Sequence, residues 1–223
     1  MALNQQIYFR FGTERKERYI IIYTYIIIYT YIYRCMCFSF EVSIATFIVS
    51  WTISLYLLGK KLTRNQKDDV IILLLFSSIQ LVDAILWYIK MKKNNINYLV
   101  TSFLLPLLLS LQILYNVYVK NKNSNIYVNI FVVIVCLYIF YRFNGYSICL
   151  CKNKLSSPIW GSNELQLWEL IIFAILIFYP NWTQIIIIIL IIFPLIYILI
   201  GGSFGSMWCA IANIVALKYL YVY

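Results

Sequence analysis

The chain has 223 residues, of which 63% are hydrophobic and 12% charged, with a formal net charge of +10 and a mean hydropathy of +0.83. A soluble domain averages about a quarter charged residues, so this composition excludes a soluble globular protein and points to a polytopic membrane protein. Six cysteines and no histidine exclude Cys-His nucleophile pairs, Ser-His-Asp triads and imidazole metal ligands, and with them the seven-helix hydrolases that hold zinc through histidine.

Residues 1–35 open with the charged stretch "RFGTERKER" and continue into a repeat, "YIIIYT" at Tyr19–Thr24 and again at Tyr25–Thr30. The repeat is too short for a span, its Tyr/Ile/Thr content favours strand, and nothing ahead of it resembles a signal peptide. It matches what a repeated AT-rich tract would encode. Residues 1–35 are therefore expected to be a spurious or disordered extension, with the protein proper starting at Met36.

From Met36 onward the apolar segments fall at 42–58, 70–89, 98–119, 126–141, 167–179, 183–200 and 206–223. Most approach the length a helix needs to cross a bilayer, and they are continuously apolar without the alternation of barrel strands. The expected fold is all-α: a single polytopic transmembrane bundle over 36–223 with about seven spans, six or eight being the alternatives. Pro106 and Pro194 fall inside spans and are expected to kink them. The basic residues sit in short connections such as "GKKLTRNQKDD" and "KMKKNNIN", as at a headgroup surface, and no basic face carries interleaved aromatics. Nucleic acid is therefore not an expected partner. The basic residues divide evenly between the two faces, so they leave the orientation open. "NWT" at Asn181 matches a glycosylation sequon but lies in a tight turn and is expected to be unused. Arg142–Gln166 is the only connection large enough for recognition or a fold of its own.

Three motifs carry a family resemblance. The chain reads "MCFSFEVS" from Met36, "SSIQLVDAILWY" from Ser77 and "MWC" at Met207–Cys209. The first resembles the opening M-C-(F/W)-S-x-E-x-S of a family of small seven-helix membrane proteins found in large DNA viruses and, more distantly, in bacteria and algae. The second is similar to that family's S-S-x-Q-x-x-E-x-x-x-W, with Asp83 where the family has Glu. The resemblance implies seven spans and a start at Met36. It implies no activity.

Within the spans, Gln80, Asp83 and Trp87 share one helix face with Ser77 a turn earlier, and Ser43, Thr46, Ser50 and Ser54 form a similar stripe on the preceding helix. With seven spans, the N-terminus and the second, fourth and sixth loops share one membrane face. Glu41 and Glu169 then lie near that face, and Asp83 and Asn213 lie about two turns below it. An intramembrane aspartate costs about 2.5–3.5 kcal/mol on insertion scales, so it should face the interior. Glu41, Ser43, Gln80, Asp83, Trp87 and Asn213 form the candidate polar pocket, read either as interhelical glue or as a site for a cation, a proton or a lipid headgroup. The acidic groups have no evident basic partner, which predicts raised pKa values if they are buried. Lys218 lies near the opposite end and is expected to snorkel. Cys37, Cys149 and Cys151 reach the shared face, so a disulfide from Cys37 to Cys149 or Cys151 is expected if that face is oxidising, with reduced thiols as the alternative. "CLC" alone is a weak metal spacing, and "GGSFGS" at Gly201–Ser206 reads as a turn between spans.

No catalytic constellation, cofactor or metal is expected. The expected partners are the lipid bilayer and other membrane or virion proteins, in a host intracellular membrane or a virion's internal membrane. The first function is structural or interaction-based. The second is a small proton or cation transporter or channel using the acidic intramembrane site. A lipid-acting enzyme, the third, lacks any nucleophile setting.

Overall fold

The computed structural model describes residues 39–152, 155–163, 165–187, 190–191 and 204–223. The extension 1–35, Cys37, Pro194 and much of the sixth expected span lie outside the described residues. Among the described residues the chain is mostly helical: α1 (Phe40–Leu58), α2 (Arg64–Tyr88), α3 (Asn95–Lys120), α4 (Ile126–Arg142), α5 (Leu167–Phe178), α6 (Trp182–Ile187) and α7 (Phe204–Val222). Three of them, α1, α2 and α3 at 19, 25 and 26 residues, are long and apolar enough to cross a membrane, whereas α4 and α5 have 17 and 12.

Polar caps set several helix starts, and those of α2 and α3 come earlier than apolarity alone predicts. The expected segment 70–89 begins at Arg64 because Thr63 and Gln66 form a capping box. The Thr63 backbone N–H donates to Gln66 Oε1 at 2.9 Å, and the Gln66 N–H donates back to Thr63 Oγ1 at 3.4 Å. Asn94 caps α3 by accepting from the Asn97 N–H at 2.8 Å, and Asn125 caps α4 by accepting from the Tyr127 N–H at 2.9 Å. In α3 a π-helical turn, Val100–Leu104, ends two residues before Pro106. Proline lacks the donor for an α-helical bond and crowds the carbonyl four residues back, and the wider turn accommodates both.

Helix α2 is central. It packs on α1, α3 and α7, while α3 in turn packs on α4 and α5. The larger core joins Ile79, Val82 and Leu86 of α2 to Leu105, Leu109 and Ile113 of α3, Val132 and Val135 of α4, and Leu176 and Ile177 of α5. A second cluster seats Leu73 and Phe76 of α2 against Ala212 and Ala216 of α7; the alanines let the two backbones approach. Polar side chains share this interior with the apolar core, and the outer faces are apolar. Ser43, Ser50, Ser77, Gln80, Asp83, Asn97, Thr101, Gln112 and Asn116 are buried, while Ile48, Val49, Leu55, Phe103, Ile130, Val133, Leu137, Ile214 and Leu217 are exposed.

The all-helical expectation needs one correction. The loop after α4 forms an antiparallel hairpin of β1 (Ile148–Lys152) and β2 (Leu155–Ile159), in a register running from Ile148 opposite Ile159 to Lys152 opposite Leu155. Pro158 argues against a strand in sequence, yet a two-stranded ribbon has only edges, where a missing N–H is tolerated. A single 3-10 turn, Trp160–Ser162, follows, and in it Gly161 adopts φ +73°. A Cβ there would meet the Arg142 carbonyl oxygen and Phe143 Cα, each at 3.1 Å. Gly161→Ala is expected to destabilise by about 1–2 kcal/mol or more, from left-handed backbone strain and that contact, measured as a lower thermal midpoint in detergent.

Contacts at the helix ends fix two opposite poles. At one pole the Phe40 ring meets Tyr88 at 5.8 Å, and the loop after α4 meets the start of α3. At the other, Lys120 Nζ bonds Asp69 Oδ1 at 2.7 Å, the Tyr223 hydroxyl donates to Asp69 Oδ2 at 3.0 Å, and Asn121 donates to the Tyr179 carbonyl at 2.8 Å.

Candidate functional site

The residues singled out in the sequence separate into distinct environments. Glu41 is exposed in the first turn of α1. Ser43 is fully buried, and among the described residues its hydroxyl has no hydrogen-bond partner, nor does the indole N–H of half-buried Trp87. Gln80 is fully buried in α2. Asn213 lies on α7, where its Oδ1 accepts from Ser50 Oγ at 3.1 Å and joins α7 to α1. Other hydroxyls turn back onto their own helices: Ser54 donates to the Ser50 carbonyl at 2.7 Å and Ser78 to the Leu74 carbonyl at 2.7 Å.

Asp83 is 1% exposed, and its Oδ1 accepts from Trp160 Nε1 at 2.9 Å. This partner comes from the long loop, not from another helix, so the loop folds inward to reach the last turns of the chain's central helix. Trp160 is itself buried and meets the Phe143 ring edge-on at 6.2 Å. Nearby, Asn97 and Thr101 of α3 clamp the backbone of Ser147. Asn97 Nδ2 donates to the Ser147 carbonyl at 3.0 Å, and the Ser147 N–H donates to Asn97 Oδ1 at 2.9 Å. These bonds position the start of the hairpin against the bundle.

The expectation that the acidic groups lack a basic partner is corrected at Glu169. Arg142 Nε donates to Glu169 Oε1 at 2.6 Å, and the two side chains are 12% and 6% exposed. The Tyr138 hydroxyl donates to the same oxygen at 2.7 Å, and the Gln166 N–H donates to Oε2 at 2.6 Å, closing a capping box on α5. Arg142 Nη2 also reaches the Asn163 carbonyl at 3.3 Å. One carboxylate therefore serves as cap, ion-pair partner and acceptor at once, which is how a charge is kept under cover.

Comparison with protein-family models, with curated proteins and with solved structures finds no match. The chain's own geometry therefore carries the functional reading.

A cleft of about 260 Å³ lies between α4 and α5 and is also lined by Leu109 of α3. Its walls are apolar and aromatic, including Phe131, Ile134, Trp168 and Phe173, and its polar end is the Arg142–Glu169 pair. Asp83 and Gln80 do not line it. Sequence reading missed this cleft, and it missed Trp160 as the partner of Asp83. The cysteines are placed only in part: Cys149 and Cys151 lie on β1 with Cys149 exposed, while Cys37 lies outside the described residues.

Proposed function

We propose that the chain is a multi-pass membrane protein with seven spans. Its role is structural or interaction-based, in a virion's internal membrane or an infected-cell membrane of a large DNA virus. Buried polar pairs within apolar outer faces carry this reading: Ser50 bonds Asn213 and Trp160 bonds Asp83 inside, while the outer faces are apolar, as a lipid surround requires. Chain parity supports the count. α5 ends at the pole of Asn116 and Asn121, and α7 finishes at that same pole beside Asp69, as a seven-span order requires. The viral assignment rests on the "MCFSFEVS" and "SSIQLVDAILWY" resemblance. Other membrane or virion proteins are the proposed partners, with the hairpin-bearing loop as the surface that meets them. Retention in the membrane pellet after alkaline carbonate extraction, and recovery of the protein from purified particles, test the two halves of the reading.

A transporter is the second reading, favoured by the buried Ser43 hydroxyl and Trp87 indole that have no partner among the described residues. Asp83→Asn separates the two. The amide keeps an acceptor for the Trp160 indole and removes a charge that is costly to insert. We expect accumulation at the wild-type level and stability within about 1 kcal/mol, with no ion flux in liposomes for either protein. Flux in the wild type that vanishes in Asp83→Asn would overturn the structural reading.

A further inference from the structure

We propose that the cleft between α4 and α5 holds one hydrocarbon chain of a membrane lipid, with the lipid headgroup at the Arg142–Glu169 end. This inference rests on the bilayer reading above and names a ligand for a site that reading leaves unassigned. At about 260 Å³ the cleft exceeds the roughly 150 Å³ of an apolar cavity that takes up benzene. Left unfilled, such walls forfeit their dispersion contacts on one side. The cleft is bounded by exposed side chains, Phe131 and Ile134 on α4 and Trp168 on α5, so a chain lying alongside the bundle can enter it sideways. Its polar end has the composition of a membrane interface. The Tyr138 and Trp168 rings lie 5.5 Å apart, both amphipathic aromatics, with Arg142 at the last residue of α4 and Glu169 in the first turn of α5. A tail between apolar walls and a head beside paired charges is the polarity profile of a lipid. A peptide would need partners for its backbone donors along walls that offer almost none. The paired charges cancel, so the end suits a zwitterionic headgroup better than an anionic one.

The test uses the full chain reconstituted into phosphatidylcholine vesicles carrying a photoactivatable acyl chain, with crosslinks mapped by peptide mass spectrometry. Cleft residues of α4 and α5 are expected to label about tenfold more than Ile48, Val49 and Leu55 on the exposed face of α1. Ile134→Trp and Ile172→Trp, which fill the cleft from opposite walls, should each bring that excess down about tenfold while α1 labelling stays unchanged. Equal labelling of all three helices, a cleft that does not label, or an excess that survives both substitutions overturns the inference. Carbonate extraction of the same preparation keeps the two readings apart. Protein released by carbonate removes the bilayer reading and this inference with it, whereas protein retained with uniform labelling removes only the lipid site.

Discussion

Arg142→Ala is expected to lower stability by about 3–5 kcal/mol, the usual consequence of removing one partner of a buried ion pair. The loss exceeds that of a surface pair because Glu169 is 6% exposed and keeps its carboxylate under cover after its cation is gone. The substitution also frees the Asn163 carbonyl, so the loop before α5 loses its tie to the end of α4. Chemical unfolding in detergent micelles measures the effect. Glu169→Gln should cost somewhat less, since the amide oxygen can still accept from the Gln166 N–H and preserve part of the α5 cap. The decisive comparison is the double variant Arg142→Met with Glu169→Gln. It should recover most of the loss of Arg142→Ala, because no uncompensated charge remains. Single variants that each cost under about 1 kcal/mol would show that the pair behaves as an exposed one.

Trp160→Ala is the second large effect, expected at about 3–5 kcal/mol. Trp160 packs in the core with Phe143 and supplies the indole N–H that Asp83 accepts, so truncation opens a cavity and takes a donor from a buried carboxylate. Trp160→Phe separates the two contributions. It keeps most of the apolar volume but not the N–H, and should cost about 1–3 kcal/mol. If Trp160→Phe matches the wild type, the Asp83 bond contributes nothing net and packing alone holds the loop. Limited proteolysis within Arg142–Gln166 gives an independent readout, since a loop released from α2 becomes accessible to protease.

The larger part of the helical layout was legible in the sequence. Each expected apolar segment from Met36 holds a helix among the described residues, although the sixth is described only in part, and α1, α2 and α3 are long and apolar enough for a span. Boundaries were misjudged where a polar turn is helical. "RNQKDD" looks like loop by composition, yet the Thr63–Gln66 capping box makes it the first turns of α2. The hairpin was missed because its strands are five residues each and one contains proline. The Arg142–Glu169 pair was within reach. Span parity alone puts the end of α4 and the start of α5 at one pole, and opposite charges there invite pairing. Nothing local marks Trp160 as a partner for Asp83, because the two are 77 residues apart and meet only when the loop folds inward.

By itself, then, the sequence determined the helical layout, including three runs long and apolar enough to cross a membrane. Continuous apolar runs admit few states other than helices in lipid, because each backbone donor must be satisfied within its own segment. It also determined which polar residues would be costly to leave facing hydrocarbon: Ser43, Ser50, Gln80, Asp83, Glu169 and Asn213. What only the tertiary structure decided is how the costs at Asp83, Glu169 and Asn213 are met. Asp83 is met by an indole from the long loop, Glu169 by a guanidinium, a phenol and a backbone amide, and Asn213 by a serine of α1. Hydrogen-bond partners are chosen by distance and direction in the folded chain, which no periodicity along the sequence encodes. The same holds for the cleft over Leu109, which lies between α4 and α5 where the Arg142–Glu169 pair joins their ends.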